Sequence, residues 1–259
     1  MGSVSSVHDN RLRQLTESLR DSYTKQAITY DACRTLSING RFFFEVAYQT
    51  MDAMIGITSK DTIHLDLPVG TGRFLLYLRD RGRRHQMIGM DVSPGMLQTC
   101  RRKTGRDSGT VSLAMGDAFS LPLADDSIDV VTSMRFFHLL PKTYWPAVLA
   151  EMHRVIRPGG FLIAEMRNLF RGIAGGLVVE YRDRWFRGGR HRSYIWPHQV
   201  HGLFHDWVGV ETRGAGLDGL GRLSTIAPAS ARRLHGLTRY WPWRYIAKEL
   251  FVIAYKRNF

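Results

Sequence analysis

Three aspartates, Asp66, Asp91 and Asp117, stand 25 and 26 residues apart, and each closes a short apolar run. The runs read TIHLDL, HQMIGMD and TVSLAMGD. That interval is the length of one strand plus one helix, and strands separated by helices build a parallel, doubly wound sheet. Right-handed crossovers bring the carboxyl ends of such strands to one edge. The three acids are therefore expected to share one crevice, where sheets of this kind bind ligands. Two further runs, SIDVVTSM and GFLIAEM, extend the series. Helices are expected between them over 72–81, 94–104 and 142–156, the second with Ser93 as its N-cap and Pro94 at its first position.

On either side of this rhythm the chain reads differently. Residues 10–60 lack proline and carry Tyr23, Tyr30, Phe42, Phe43, Phe44 and Tyr48, which reads as a helical, aromatic cap. After Met166, glycine, arginine and aromatics crowd 167–195. A helix is expected at WPHQVHGLFHDW, a strand at about 207–213, a loop at GAGLDGLGRL and a closing strand within YIAKELFVIAYK. The expected division is a cap over 1–60, a ligand-binding core over 61–166 and a sheet-completing, acceptor-side part over 167–259. With 44% hydrophobic residues the 259-residue chain can bury a substantial core. Its two cysteines, Cys33 and Cys100, form no disulfide framework. The opening MGSVSSVHDN has no apolar leader and no run reaches membrane-spanning length, so a cytoplasmic location is expected.

The net charge of +13 is unevenly spread. Residues 167–259 hold 16 basic and 6 acidic side chains, against 13 and 11 over 61–166 and 7 and 6 over 1–60. A local excess of this kind suits a small anionic acceptor, a membrane surface or nucleic acid, and equally a solvated basic face.

The loop after the first strand, LDLPVGTGRF, narrows the ligand. Gly70 and Gly72 let the backbone approach a ligand closely and turn into a helix. A phosphate-binding P-loop needs Lys-Ser/Thr after its last glycine, and Arg73 and Phe74 stand there instead. A dinucleotide loop needs a third glycine where Leu75 stands. Asp66 at the mouth disfavours a pyrophosphate and favours a ligand with cationic groups.

Together with IGMDVSPGML, MGDAFSLPLADDSIDVVTSM and EMHRVIRPGGFLIAEM, this loop makes the stretch from Thr62 to Met166 resemble the class I S-adenosylmethionine-dependent methyltransferases of the small-molecule type. The resemblance implies a Rossmann-like methyltransferase fold with a mostly parallel, seven-stranded sheet, a helical N-terminal cap and C-terminal insertions. It implies S-adenosylmethionine as cofactor and S-adenosylhomocysteine as product. Asp91 matches the acid that receives the ribose hydroxyls, and Gly116, Asp117 and Ala118 match the segment beside the adenine. Asp66, Gly70, Thr71 and Gly72 match the methionine end, and Pro68, Val92, Met96 and Met134 complete the expected cofactor set. Pro68 departs from the family's Asp-x-Gly-x-Gly pattern. Proline fixes φ and removes one N–H, yet the glycines of close approach remain, so the loop is expected to work and to be stiffer.

Methyl transfer from a sulfonium needs chiefly an in-line approach, and such positioning is worth up to about 7–11 kcal/mol. His138 is the first candidate for a base, with Tyr30, Tyr144 and Tyr194 behind it. Tyr30, Phe43, Phe44, Arg135, Arg187 and Tyr194 are the expected acceptor contacts. His198, His201 and His205 have helical spacing that would suit zinc, but Leu203, Phe204 and Trp207 beside them indicate packing, and no metal is expected. The expected function is methylation of a small hydrophobic or anionic acceptor, a secondary metabolite or lipid-like molecule. An RNA methyltransferase is the alternative, on charge and on RYWPWRY. A non-catalytic cofactor-binding protein is a third reading.

Overall fold

A computed structural model describes residues 2–56, 61–83, 85–105, 110–169, 193–217, 220–240 and 242–258. The repeated strand–helix rhythm becomes one seven-stranded sheet in the order β3-β2-β1-β4-β5-β7-β6. The strands are β1 (Ile63–Asp66), β2 (Gln86–Asp91), β3 (Val111–Met115), β4 (Ile128–Ser133), β5 (Ile156–Arg167), β6 (Val208–Ala215) and β7 (Glu249–Tyr255). The first five pair in parallel, and β7 runs antiparallel between β5 and β6. The expected sheet is therefore present, and its last two strands come from the C-terminal third.

The crossover helices lie close to their expected places. Helix α4 (Arg73–Asp80) follows Gly72, and α5 (Pro94–Thr104) starts at Ser93, whose hydroxyl accepts the Met96 N–H at 3.2 Å. Helix α6 (Trp145–Val155) is preceded by a 3₁₀ turn, Lys142–Tyr144, which takes up the first residues of the expected 142–156 helix. The cap is α1 (Gly2–Gln26), α2 (Tyr30–Thr35) and α3 (Ile38–Ile55). Helices α3 and α4 cover one face of the sheet around Met51, Phe74, Leu75 and Leu78, all buried. The other face packs on α6 through Trp145, Val148, Leu149 and Met152.

Three expectations need correction. The fifth strand starts at Ile156 and not at Gly160, because the Pro-Gly-Gly turn is absorbed as an irregularity in the pairing with β4. The helix expected over 196–207 is a 3₁₀ turn (Pro197–Gln199) followed by the single-turn α7 (Val200–Leu203), which ends next to Gly202. GAGLDGLGRL is not all loop: it closes β6 and enters α8 (Leu220–Ile226), which leads to α9 (Pro228–Gly236). Its leucines make α8 helical by burial, Leu220 packing with Phe42, Val46 and Ala231. Among the described residues no helix is long and apolar enough to cross a membrane.

Candidate active site

The β1–α4 loop is stapled across its neighbours before it meets any ligand. Leu67 N–H donates to the Thr132 carbonyl at 2.9 Å, and Val69 N–H donates to the Met90 carbonyl at 2.8 Å. The Leu67–Pro68 peptide is cis, and Gly70 and Gly72 have φ of +55° and +75°. At Gly72 a Cβ would collide with Cys100 Sγ, whereas at Gly70 it would meet nothing within 4 Å. Gly72 thus packs the loop onto α5, and Gly70 faces open space.

Both carboxylates beside the loop are buried. Asp91 Oδ2 accepts the Gly70 N–H at 2.9 Å and Oδ1 accepts the Ser93 N–H at 2.8 Å. Burial still pushes Asp91 up to about 6, against those backbone donors. Asp66 Oδ1 accepts the Thr132 hydroxyl at 2.8 Å. Burial pushes Asp66 up to about 7; the Thr132 hydrogen bond opposes this and the Asp91 charge adds to it.

Two cavities open over this floor. The first, about 770 Å³, has Asp66, Pro68, Gly70, Thr71, Asp91, Val92, Met96 and Met134 below it. Above it lie Leu19, Tyr23, Tyr30, Phe44, Tyr48 and Arg73, with Arg135, Phe136 and Leu139 at the β4 end. The second, about 330 Å³, lies between Thr16 and Leu19 of α1 and the segment Gly116–Phe119. Leu19, Pro68, Val92 and Phe136 line both, so the two are lobes of one cleft. Every residue of the expected cofactor set except Gly72 lines one lobe or the other.

The acceptor residues divide. Tyr30, Phe44 and Arg135 line the larger lobe. Phe43 lies behind it, its ring centroid 5.7 Å from the Arg135 guanidinium carbon. Tyr194 is buried outside the lining, and Arg187 lies outside the described residues. Arg135 itself has φ of +59°, and its N–H donates to Glu165 Oε2 at 3.1 Å. Its guanidinium lies 3.6 Å from Glu165 and 3.4 Å from Glu249. Burial works against the charge on Arg135, and the two glutamates outweigh it. Burial first, and then the Glu249 charge, pushes Glu165 up to about 7.

His138 does not line the cleft. It sits in a 3₁₀ turn whose residues three apart share a face. Phe136 and Leu139 occupy the cleft face, while His138 is buried elsewhere and its carbonyl accepts the Ser193 N–H at 3.0 Å. The three histidines at 198, 201 and 205 are also dispersed by the broken helix: His198 stacks near Trp196 and His205 pairs with Asp206 at 3.1 Å.

The sequence reading missed the roof. Leu12, Leu15, Leu19 and Tyr23 repeat at helical spacing, the signal of an apolar stripe that must cover something. It also missed Arg73, whose guanidinium lies 4.0 Å above the Phe44 ring, and Tyr48, whose hydroxyl burial pushes up, out of reach of a base's role. A latch ties the cap to the loop. Asp31 of α2 accepts the Thr71 hydroxyl and the Lys103 ammonium, each at 2.6 Å, and Lys103 also donates to the Thr71 carbonyl at 2.8 Å.

Comparison with known proteins matches this architecture. Residues 65–160 fit a family model described as a methyltransferase domain. A demethylmenaquinone methyltransferase of Symbiobacterium thermophilum is 30% identical over 222 residues, covering 75% of this chain and 85% of that protein. A malonyl-(acyl-carrier protein) O-methyltransferase of Serratia marcescens is 33% identical over 135 residues, 51% of this chain. The chain spans less than half the length of several relatives, 48% in the Serratia case. The methyltransferase solved in complex with the Haloferax volcanii Trm112 methyltransferase activator superimposes with a TM-score of 0.65 at 23% identity, covering 93% of this chain and 98% of that one. With the glycine loop, the strand-end acids and the sheet order all in place, the chain belongs to the class I S-adenosylmethionine-dependent methyltransferases.

Proposed function

We propose that this protein transfers the methyl group of S-adenosylmethionine to a small acceptor that is hydrophobic and carries an anionic or strongly polar oxygen. The observation that carries the reading is the division of one cleft into two kinds of wall. The sheet side presents the acids and glycines, and the cap side presents aromatic rings with Arg73 and Arg135. Asp91 would hold the ribose hydroxyls, since each of its oxygens keeps a lone pair free after its backbone bond. Ala118 and Leu140 would flank the adenine in the smaller lobe, and Asp66 would face the cationic methionine end.

When bound, the cofactor supplies a methyl group already activated on a sulfonium. The chain's own work is then to exclude water and to fix the approach. Tyr23, Tyr30, Phe44 and Tyr48 close the cleft against solvent, and the two guanidinium groups hold an anionic nucleophile in place. Such an acceptor arrives with its proton already lost, which fits a lining that contains no histidine among the described residues.

The test is transfer of labelled methyl from S-adenosylmethionine into a metabolite extract and, separately, into total RNA. Label in a small organic-soluble product is expected. Label in RNA alone replaces this reading with the RNA methyltransferase, and tight cofactor binding without transfer to either replaces it with a binding protein.

A further inference from the structure

Beneath the cleft a line of buried polar groups leads away from Asp66, and neither the fold nor the reading above uses it. His64, two residues before Asp66 on β1, points to the same face of the sheet. Its Nε2 lies 2.8 Å from the Thr132 hydroxyl, and its Nδ1 lies 3.2 Å from His85 Nε2. Thr132 in turn donates to Asp66 at 2.8 Å. All four side chains are at most 2% exposed.

The hydrogen count fixes a direction along this line. Thr132 has one hydroxyl proton. If it goes to an ionised Asp66, the Thr132 oxygen must accept from His64 Nε2–H. His64 Nδ1 is then bare and must accept from His85 Nε2–H. If Asp66 gains a proton on Oδ1, every bond along the line can reverse: Asp66 donates to Thr132, Thr132 to His64 Nε2, and His64 Nδ1–H to His85. Both polarities are fully hydrogen-bonded, and both keep the imidazoles neutral. Burial, with the neighbouring His85 adding to it, pushes His64 down to about 3, so it does not charge in either state.

We propose that Thr132 and His64, backed by His85, are positioning residues that aim Asp66 at the cofactor's α-ammonium and couple capture of that cation to loss of a proton from Asp66. The inference rests on the cofactor orientation proposed above. With Oδ1 committed to Thr132, only Oδ2 is left to the cleft. Other titratable groups near Asp66 are Asp91 from β2, Tyr48 from α3 and Cys100 from α5. Arg73 of α4 lies 5.9 Å from the Tyr48 ring centroid and Lys103 of α5 acts on Cys100, and among the described residues the hydrogen bond to the Asp66 carboxylate comes from Thr132. The sign follows: a carboxyl that is partly protonated near neutrality binds a cation better as pH rises through its titration, and the affinity levels off above it.

The experiment compares S-adenosylhomocysteine, which carries the ammonium, with 5′-methylthioadenosine, which lacks the amino-acid part. Dissociation constants are measured calorimetrically from about pH 6 to about pH 8, around the Asp66 value, for the wild type, Thr132→Ser, Thr132→Val and His64→Phe. In wild type and Thr132→Ser the affinity for S-adenosylhomocysteine relative to 5′-methylthioadenosine should rise with pH through about 7, the ratio cancelling the ionisation of Asp91, which both ligands share. Thr132→Val keeps the side-chain shape, removes a hydrogen bond to a charged group, and should weaken S-adenosylhomocysteine by about tenfold at neutral pH. It should also move the midpoint upward, and His64→Phe should move it in the same direction without touching Asp66. Equal losses for both ligands in Thr132→Val, or an unmoved midpoint in both variants, overturn the coupling. Failure of the wild type to bind either ligand would instead overturn the cofactor reading itself.

Discussion

Asp91 carries the sharpest residue-level expectation. Asp91→Ala should weaken S-adenosylmethionine and S-adenosylhomocysteine at least about tenfold, because hydrogen bonds to a charged group are each worth about 1.5–3 kcal/mol. Calorimetry on the folded variant checks this, and unchanged affinity would remove Asp91 from the site. Gly72 makes a different kind of claim. Its φ of +75° and its contact with Cys100 leave no room for a side chain. Gly72→Ala should therefore cost at least about 1–3 kcal/mol of stability by strain alone, read as a lower denaturation midpoint. Residues such as these were legible in the sequence because backbone-driven chemistry leaves local marks: an acid after an apolar run, a glycine where φ must be positive. His138, the expected base, does not line the cleft, for the complementary reason. Which face of a short turn a side chain takes depends on tertiary packing, and the neighbours of His138 in sequence, Phe136, Phe137, Leu139 and Leu140, are all apolar.

At the scale of elements, the parallel core could be read because each strand and helix is bounded by its own punctuation, as Ser93 and Pro94 bound α5. The cap could be read as helical but not placed, since an amphipathic stripe says that a face is covered and not by what. Its placement depends on long-range contacts such as Thr24 against Ser93, 2.9 Å apart across 69 residues, and the Asp31 latch. The latch predicts a kinetic effect. Asp31→Ala removes two charge-assisted bonds that hold α2 to the loop and to α5, and it touches no part of the sheet. Release of S-adenosylhomocysteine should accelerate by up to about tenfold, with little change in thermal stability. Stopped-flow fluorescence of ligand release would measure this; an unaltered off-rate would mean that α2 plays no part in retaining the ligand.

For the whole molecule, the +13 net charge is the feature most open to misinterpretation. Much of the acceptor-side sequence that carries it, including Arg182 to Arg192, lies outside the described residues. Among the described residues, the arginines that line the cleft, Arg73 and Arg135, come from the core and not from the basic C-terminal third. Turnover of a small acceptor should accordingly depend only mildly on salt, whereas an RNA contacting several phosphates would lose affinity steeply. A salt titration of kcat/KM separates the two. Phe44→Ala should raise the acceptor's KM while leaving cofactor affinity close to wild type. The position of α1 carries the last consequence. Leu19 borders both lobes, and Thr24 lies so close to Gly95 that a Cβ there would come within 2.9 Å of its backbone. One helix therefore forms a wall of both lobes at once. If that shared wall closes over a nucleotide in the proposed adenine lobe, the expected order is nucleotide first in and last out. Product-inhibition patterns should then show S-adenosylhomocysteine competing with S-adenosylmethionine but not with the acceptor.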